Sequence, residues 1–329
     1  MRQTMERLKF SKTRRALGLE ITDFSVKAAE VVTDASSRMA VSRQGAQRLP
    51  DNSIKDGRIL HMDGVAEALR SLVKRIRPRT RKVHAALPSS TVMIRFLKLP
   101  DLPDRKLRKL IEFELEHRVP LPFDSPCFDF VKMGAPEGGS ALCDVMLAAA
   151  PLATIREYMN VVRKSGLAVS SIEIRPLSLL RLIERTGQTG DGGTFLMVDV
   201  GEKVSDLGLI HNGELRVARS VPISFPVSER DDSPVIRRAC DELIQEIERL
   251  MIFFRYNLQF RDRGIDRILL SGDVPHLEQV MRDLADAGRL ASEVRLVSGE
   301  GFRMPEEHAG SPFPSMAVPV GLALRGIGP

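Results

Sequence analysis

Asp199 and Gly201 are the residues whose types and spacing could best support chemistry in this sequence. They end the first apolar run of the segment 194–213, and a polar turn that contains Ser205 follows them. A glycine at the tip of a buried strand lets backbone N–H groups approach a phosphate, and a carboxylate beside it can order a magnesium-bound water. An ordinary hairpin turn uses the same residue types, so the D-x-G spacing alone is a weak signal. The segment predicts a β-hairpin with a candidate phosphate loop.

A second hairpin of the same layout is predicted near the start of the chain. Residues 16–32 contain two apolar runs, with Glu20 in the first, Thr22 in the turn and Lys27 in the second. The two hairpins lie in opposite halves of the sequence. This is the layout of a duplicated α/β fold that grips a nucleotide between two phosphate loops.

The spacing of apolar residues predicts the elements that position these hairpins. A buried strand is predicted at 265–271, and it ends in the loop Gly272-Asp273. The glycine-rich loop 186–193 lacks the G-x-x-x-x-G-K-[ST] signature, so it is interpreted as the boundary between halves. Helices are predicted at residues 63–76, 104–118, 152–165, 176–185, 235–258, 275–287 and 317–324.

The most distinctive block of the sequence is 97–123, in which prolines bound a predicted helix. Asp104 is expected to be its N-cap, and Pro120 is expected to stop it. An acid–base or metal cluster is an alternative for the three acidic residues Glu112, Glu114 and Glu116. Residues two apart do not face each other on a helix, so a solvated acidic flank is favoured and no metal site is predicted.

Composition indicates a soluble globular protein of 329 residues in two domains, with 43% hydrophobic and 28% charged residues. Its three cysteines have no C-x-x-C spacing, which favours reduced thiols and a cytoplasmic setting. No apolar run approaches the roughly 20 residues that span a bilayer.

The formal net charge of +6 is concentrated in a basic leader, residues 1–15, and in the run 74–82. Basic runs bind anionic lipid or nucleic acid, although a solvated tail and loop are the commoner explanation. Neither run is interleaved with aromatic residues in the way that single-strand binding uses. Nucleic acid is therefore not expected as a partner, and a weak preference for a membrane surface ranks above it.

Six motifs, in order along the chain, resemble the PilM family of type IV pilus assembly proteins, which is related to the division protein FtsA within the actin-like superfamily. They are LGLEITDFSVK at 17–27, the block 99–123 with Leu99-Pro100, Glu114-x-Glu116 and Val119-Pro120, AAAP at 148–151, VDVG at 198–201, HNG at 211–213 and ILLSGD at 268–273. The resemblance runs from Leu17 to Leu324.

The resemblance implies an actin-like duplicated α/β fold, with two domains around a central cleft. Domain 1 would span residues 16–187 and domain 2 residues 188–329. An inserted α+β subdomain would occupy about 88–165 of the first half.

The family's proteins bind ATP in the cleft and act as cytoplasmic adaptors at the inner face of the cell membrane. They hold the tail of a bitopic inner-membrane protein, PilN, between two subdomains of the first half, and they link it to the pilus motor. The residues that match the nucleotide loops are Glu20, Thr22, Lys27, Asp199, Gly201, Ser205, Gly272 and Asp273. The residues that match the partner-binding block are Leu99, Glu114, Val119, Pro120 and Phe123.

Departures from the family pattern favour a weakened nucleotide site. The first loop of the family reads D-I-G, whereas this chain has Glu20 and Thr22 at the acidic and glycine positions, followed by Asp23. Glu202 and Lys203 replace smaller residues in the second loop. The hypothesis is an adaptor of a pilus, or related type II secretion, assembly platform that binds ATP and magnesium weakly or not at all and has no catalytic residue. The alternatives are an active ATPase or small-molecule kinase of this fold, and an FtsA-like membrane-associated filament protein; self-association stays open.

Overall fold

The computed structural model describes residues 14–34, 38–134, 141–190, 192–226, 233–257, 264–288, 290–304 and 313–328. Residues 1–13 of the predicted basic leader lie outside this set, whereas Arg14 and Arg15 begin the first strand.

Sixteen strands and seven α-helices make up the described part of the chain. In chain order they are β1 (Arg14–Ile21), β2 (Ser25–Thr33), β3 (Met39–Arg48), β4 (Ile54–Lys55), β5 (Arg58–Ile59), α1 (Met62–Ile76), β6 (Lys82–Leu87), β7 (Met93–Pro100), α2 (Asp104–His117), β8 (Pro126–Met133), β9 (Leu142–Pro151), α3 (Leu152–Lys164), β10 (Ala168–Ile174), α4 (Arg175–Arg185), β11 (Thr194–Val200), β12 (Ser205–His211), β13 (Glu214–Val221), α5 (Ser233–Asn257), β14 (Ile265–Gly272), α6 (Leu277–Asp286), β15 (Ala291–Leu296), β16 (Phe302–Arg303) and α7 (Ala317–Ile327).

Two large sheets repeat one topology. The first has the order β10-β6-β1-β2-β3-β16, and the second has the order β15-β14-β11-β12-β13. In each, three consecutive strands run antiparallel. One later strand pairs parallel with the first of them, and a further strand pairs parallel with that later strand. Both predicted hairpins are confirmed, as β1–β2 and β11–β12, and so is the duplicated α/β architecture.

The central strand β11 is buried along its whole length because its two faces contact different cores. Leu196 and Val198 pack in the core beneath α5, whose apolar stripe includes Leu243 and Ile247. Met197, on the opposite face, packs in the core that α4 and α7 share. A strand covered by helices on both faces has no polar face, which explains the near-continuous apolar run.

The end of the chain returns to the first sheet. Strand β16 pairs with β3, and α7 packs across β1 and β2. A Cβ on Gly18 of β1 would lie 1.9 Å from the Pro319 carbonyl oxygen, so only glycine permits this close crossing. The domain limits given from the sequence stay a prediction.

A third sheet, in the order β7-β9-β8, forms the inserted part of the first half with α2. Leu107, Ile111 and Leu115 of α2 pack with Leu99 in its core. The prediction that Asp104 caps α2 is wrong. Pro103 occupies the N-cap, where its carbonyl oxygen accepts hydrogen bonds from the backbone N–H groups of residues 106 and 107, and Asp104 is the first helical residue.

Candidate functional site

The candidate site lies where the two hairpins face each other. Glu20 and Lys27 come from the first sheet, and Asp199 comes from the end of β11. Strand β14 runs parallel to β11 with Val200 opposite Gly272, so Asp273 emerges at the same edge. The structure therefore brings together the charged residues that the sequence predicts for the nucleotide loops.

Lys27 joins the two halves through ion pairs. Its Nζ lies 3.0 Å from Glu20 Oε2 and 3.1 Å from Asp273 Oδ2. Burial alone would lower the pKa of Lys27, but the charges of Glu20 and Asp273 outweigh it and raise that pKa above the usual range. The lysine therefore stays charged, and its charge is already shared between two carboxylates.

Arg175, which the sequence analysis missed, lies at the centre of the site. Its Nη2 lies 2.9 Å from Glu20 Oε1 and also binds Asp199 Oδ2, and its Nη1 lies 2.7 Å from Asp206 Oδ2. Burial by itself would lower the pKa of Arg175, but these carboxylates raise it. One guanidinium thus connects the first phosphate loop to the second.

A weak signal for Arg175 existed in the sequence. It directly follows strand β10, whose last two residues are buried; β10 runs parallel to β6, and β6 runs parallel to β1. The carboxyl ends of parallel strands meet at one edge, so a lone cation there faces the carboxylate at the end of β1. Only the strand order, however, makes this inference possible.

Asp206 and Asp199 both bind donors of the protein. Asp206 accepts hydrogen bonds from Ser89 Oγ at 2.7 Å and from Ser220 Oγ at 2.5 Å, in addition to Arg175. Ser271 Oγ donates to Asp199 Oδ1 at 2.7 Å, and Arg175 binds the other oxygen. Each carboxylate oxygen of these two residues therefore has a partner from the chain itself.

The first loop also uses its donors internally. The hydroxyl of Thr22 accepts hydrogen bonds from the backbone N–H groups of Phe24 and Ser25, at 3.3 and 3.0 Å. The backbone N–H of Thr22 donates to the Ser25 carbonyl. Asp23 Oδ1 accepts a hydrogen bond from the backbone N–H of Gly57 at 2.9 Å. These amides are satisfied without a phosphate.

The second loop has a tight backbone. A Cβ on Gly201 would lie 2.6 Å from the Val204 carbonyl oxygen, so the turn itself needs this glycine. Gly272 has a φ of 145°, and a Cβ there would lie 2.2 Å from the Val200 carbonyl oxygen. Ser205 is buried, and its hydroxyl has no hydrogen-bond partner among the described residues.

The two unusual residues of the second loop contact the first half. Glu202 pairs with Arg48 of β3, with Nη1 to Oε2 at 3.3 Å. The Nζ of Lys203 lies 5.0 Å from the ring centroid of Phe24, a cation–π distance. The departures from the family pattern therefore form additional contacts between the two halves.

A cavity of about 830 Å³ opens beside these contacts. Lys27 and Arg48 line it from the first sheet, and Asp273, Gln279 and Arg282 line it from the loop after β14 and from α6. Its size suits a small organic ligand with polar groups.

The predicted partner-binding residues divide into a buried and an accessible group. Leu99 lies inside the core of the inserted sheet, so it supports the surface without forming part of it. Glu114 is partly buried and pairs with Arg118 at 3.2 Å. Val119, Pro120 and Phe123 line a groove of about 820 Å³. We call this the α2 groove; its other lining residues are Glu112, Leu115, Glu116, His117, Arg118, Leu121, Asp124, Ser125, Pro126 and Phe128.

Comparison with known proteins adds a family and a shared fold. Residues 18–222, more than half of the chain, match the family model described as "Type IV pilus assembly protein PilM". A solved structure titled "PilM-PilN type IV pilus biogenesis complex" is similar at a TM-score of 0.79 and 23% identity, over 95% of this chain and 99% of that chain.

Two further solved structures match at lower scores. The ethanolamine utilization protein EutJ from Carboxydothermus hydrogenoformans has a TM-score of 0.48 at 14% identity, over 96% of this chain and 91% of its own. The cytoplasmic domain of EpsL, from the type II secretion system of Vibrio cholerae, has a TM-score of 0.45 at 10% identity, over 95% of this chain and 94% of its own.

The duplicated sheets and the fold shared with the PilM structure confirm the predicted actin-like architecture. The family model covers both hairpins, the inserted sheet and Arg175. The chain therefore belongs to the PilM family of type IV pilus assembly proteins.

Proposed function

We propose that this protein is a non-catalytic adaptor of the type IV pilus assembly platform. It docks the cytoplasmic tail of a PilN-like inner-membrane protein and connects that protein to the pilus motor at the inner face of the membrane. The observation that carries the non-catalytic part of the proposal is Arg175, whose guanidinium lies between the two loops that an actin-like ATPase would use for phosphate. The adaptor part is supported by the family match and by the similar PilM-PilN structure. No helix in the described part of the chain has the length and apolar character needed to cross a bilayer.

The absence of turnover follows from the state of the carboxylates. Phosphoryl transfer to water needs a group that orients or deprotonates the nucleophile, and it needs metal ions that neutralise the phosphates. Asp199 and Asp206 are held by Arg175 and by serine hydroxyls, so both carboxylates already bind donors of the protein where that work would need a nucleophile or a metal ion. A divalent cation at Asp199 would also have to displace the buried guanidinium of Arg175, because the two positive charges would repel each other.

The triphosphate part of a nucleotide fits this arrangement poorly. Thr22 satisfies the first-loop amides that would otherwise cradle a phosphate. The cavity beside Lys27 and Arg282 still has room for a nucleoside. These observations support weak nucleotide binding at most, without a role for magnesium at Asp199.

Hydrolysis assays test this part of the proposal. The purified chain with ATP and magnesium should release phosphate no faster than its Asp199→Asn variant, in which the side chain keeps its size but loses its charge. A rate that Asp199→Asn abolishes would establish an active ATPase instead. Calorimetric titration with ATP should give the same weak signal with magnesium and with EDTA.

The α2 groove is the proposed docking site for the partner's tail. The fold neighbour with a TM-score of 0.79 is titled as a complex with PilN, which supports a tail of this kind as the occupant. Val119 and Phe123 offer apolar contact inside the groove, and Glu116 and Asp124 offer acidic groups beside it. Such a groove suits an extended segment that carries both apolar and basic side chains.

A matched pair of phenylalanine substitutions tests the docking site. Phe123→Ala removes a ring that lines the groove, and binding of a synthetic peptide with the N-terminal tail sequence of the PilN-like protein should weaken at least roughly tenfold. Phe253→Ala makes the same chemical change on α5, where Phe253 is exposed and does not line the groove. Fluorescence anisotropy of the labelled peptide measures both. Equal losses, or no loss for Phe123→Ala, would place the docking site elsewhere.

A further inference from the structure

One end of the first sheet carries a surface of unpaired positive charge. The chain between α1 and β6, with the last turn of α1 and the first residue of β6, presents five exposed basic side chains: Lys74, Arg77, Arg79, Arg81 and Lys82. None of the five side chains forms an ion pair within the described part of the chain. We call this surface the basic loop.

A buried carboxylate fixes the conformation of the basic loop. Glu30 Oε1 accepts hydrogen bonds from the backbone N–H groups of Arg79 and Thr80, at 2.6 and 3.1 Å. The other oxygen of Glu30 accepts from Ser42 Oγ at 2.8 Å and lies 3.6 Å from Arg15 Nε. The carboxylate thus orders the backbone of the loop and leaves its basic side chains facing solvent.

The described chain begins at the same end of the molecule. Strand β1 runs parallel to β6 with Leu17 opposite Val83, so its first residues lie beside the basic loop. An acidic group near this end, Asp34, is paired with Arg38 at 2.8 Å.

We propose that the basic loop binds the surface of an anionic lipid bilayer directly, independently of the tail-docking groove. Clustered lysine and arginine side chains next to a membrane gain favourable energy from anionic headgroups without a shaped pocket. The stretch 72–83 contains no aromatic residue, so nucleic-acid bases have no side chain to stack on. The nucleotide cleft lies at the opposite ends of β1 and β6, so a bilayer at the basic loop leaves the cleft open to the cytoplasm.

Vesicle flotation of the full-length protein tests the proposal. The protein should float with vesicles of phosphatidylglycerol and phosphatidylethanolamine and stay behind with vesicles of phosphatidylcholine. Binding should weaken as salt rises, because the Debye length falls from about 10 Å at 0.1 M to about 3 Å at 1 M. Lipid and purified protein are the only components, so the result does not depend on the PilN-like partner.

Two triple variants locate the contact. In Arg79→Gln with Arg81→Gln and Lys82→Gln, the apparent affinity for anionic vesicles should fall by at least roughly tenfold. The matched control replaces three exposed basic residues of α2 in the same way, Arg105, Lys106 and Lys109, and it should stay within about twofold. If the first triple variant proves unstable by circular dichroism, Arg81→Gln alone should still weaken binding by roughly fivefold.

Three results would overturn the proposal: no flotation of the wild-type protein, equal loss in both triple variants, or unchanged binding when the basic loop is neutralised. Fluorescence anisotropy with a labelled DNA duplex tests nucleic acid as the alternative partner of the basic loop. Tighter binding to the duplex than to anionic vesicles, lost with the same three substitutions, would assign the surface to nucleic acid instead.

Discussion

At the scale of single residues, Arg175 determines the charge balance of the cleft. In this chain a guanidinium neutralises carboxylates of both halves, so the space between the loops is filled by a charge of the protein. A buried cation of this kind contributes to the stability of the fold through the negative charges that it neutralises. Its removal therefore leaves uncompensated carboxylates in a poorly solvated place.

The Arg175→Met variant should lose about 3–5 kcal/mol of unfolding free energy, the usual consequence of breaking a buried ion pair by removing one partner. Urea unfolding followed by circular dichroism measures the loss. Arg105→Met on the exposed face of α2 is the control and should change the free energy by less than about 0.5 kcal/mol. A loss below about 1 kcal/mol for Arg175→Met would mean that solvent already reaches these carboxylates.

Close approach of α7 to β1 sets the packing at the scale of elements. Helix α7 is buried on nearly every side, because β1, β2 and α4 surround it. Gly18 on the strand and Gly321 on the helix both lie at backbone crossings, the latter beside the Ser178 carbonyl oxygen. Small residues at both positions let the backbones approach, and any side chain there would separate the elements.

Gly18→Ala should therefore destabilise the protein by about 1–3 kcal/mol or more, since the added methyl group meets backbone atoms that cannot rotate away. Gly264→Ala is the matched control. A Cβ at residue 264 would meet no atom within 4 Å, so its effect should lie within about 0.5 kcal/mol of zero. Thermal unfolding of the two variants compares them directly. Equal melting temperatures would contradict the close crossing.

Local pattern predicts the elements well and their partners less well. The apolar stripe of α5 and the turn residues around Asn212-Gly213 specify a helix and a hairpin without reference to the rest of the chain. The predicted N-cap of α2 was wrong because both Pro103 and Asp104 are candidates for that position. Backbone geometry decides between them, and Pro103 occupies it. The nucleotide-loop and partner-binding assignments stay predictions.

At the scale of the whole molecule, the two halves share an apolar core and are also joined by ion pairs across the cleft. Lys27 of the first sheet pairs with Asp273 after β14, and Arg48 pairs with Glu202. Burial alone would raise the pKa of Asp273, but the charge of Lys27 and the hydrogen bond from it lower that pKa overall. Because the pKa is lower in the folded state than in the unfolded state, the ionised form of Asp273 stabilises the fold.

This linkage gives a pH dependence with a defined sign. The contribution of Asp273 is present above its unfolded pKa of about 3.9 and is lost as the pH falls through the lower folded value. The difference in unfolding free energy between the wild type and Asp273→Asn should be largest near neutral pH and should close on acidification. Urea unfolding across that range measures it. In a Lys27→Met background the same comparison should show no such trend, and a trend that persists would point to another partner.

The sequence by itself determined the two hairpins, the long helix, the proline-bounded block and the family, because apolar periodicity, turn residues and motif order are local properties of the chain. Only the tertiary structure decided what fills the cleft. The strand order brings Arg175 to Glu20, Asp199 and Asp206, and it returns α7 to the first sheet. Strand order depends on which apolar faces cover one another across hundreds of residues, and no local pattern encodes that choice.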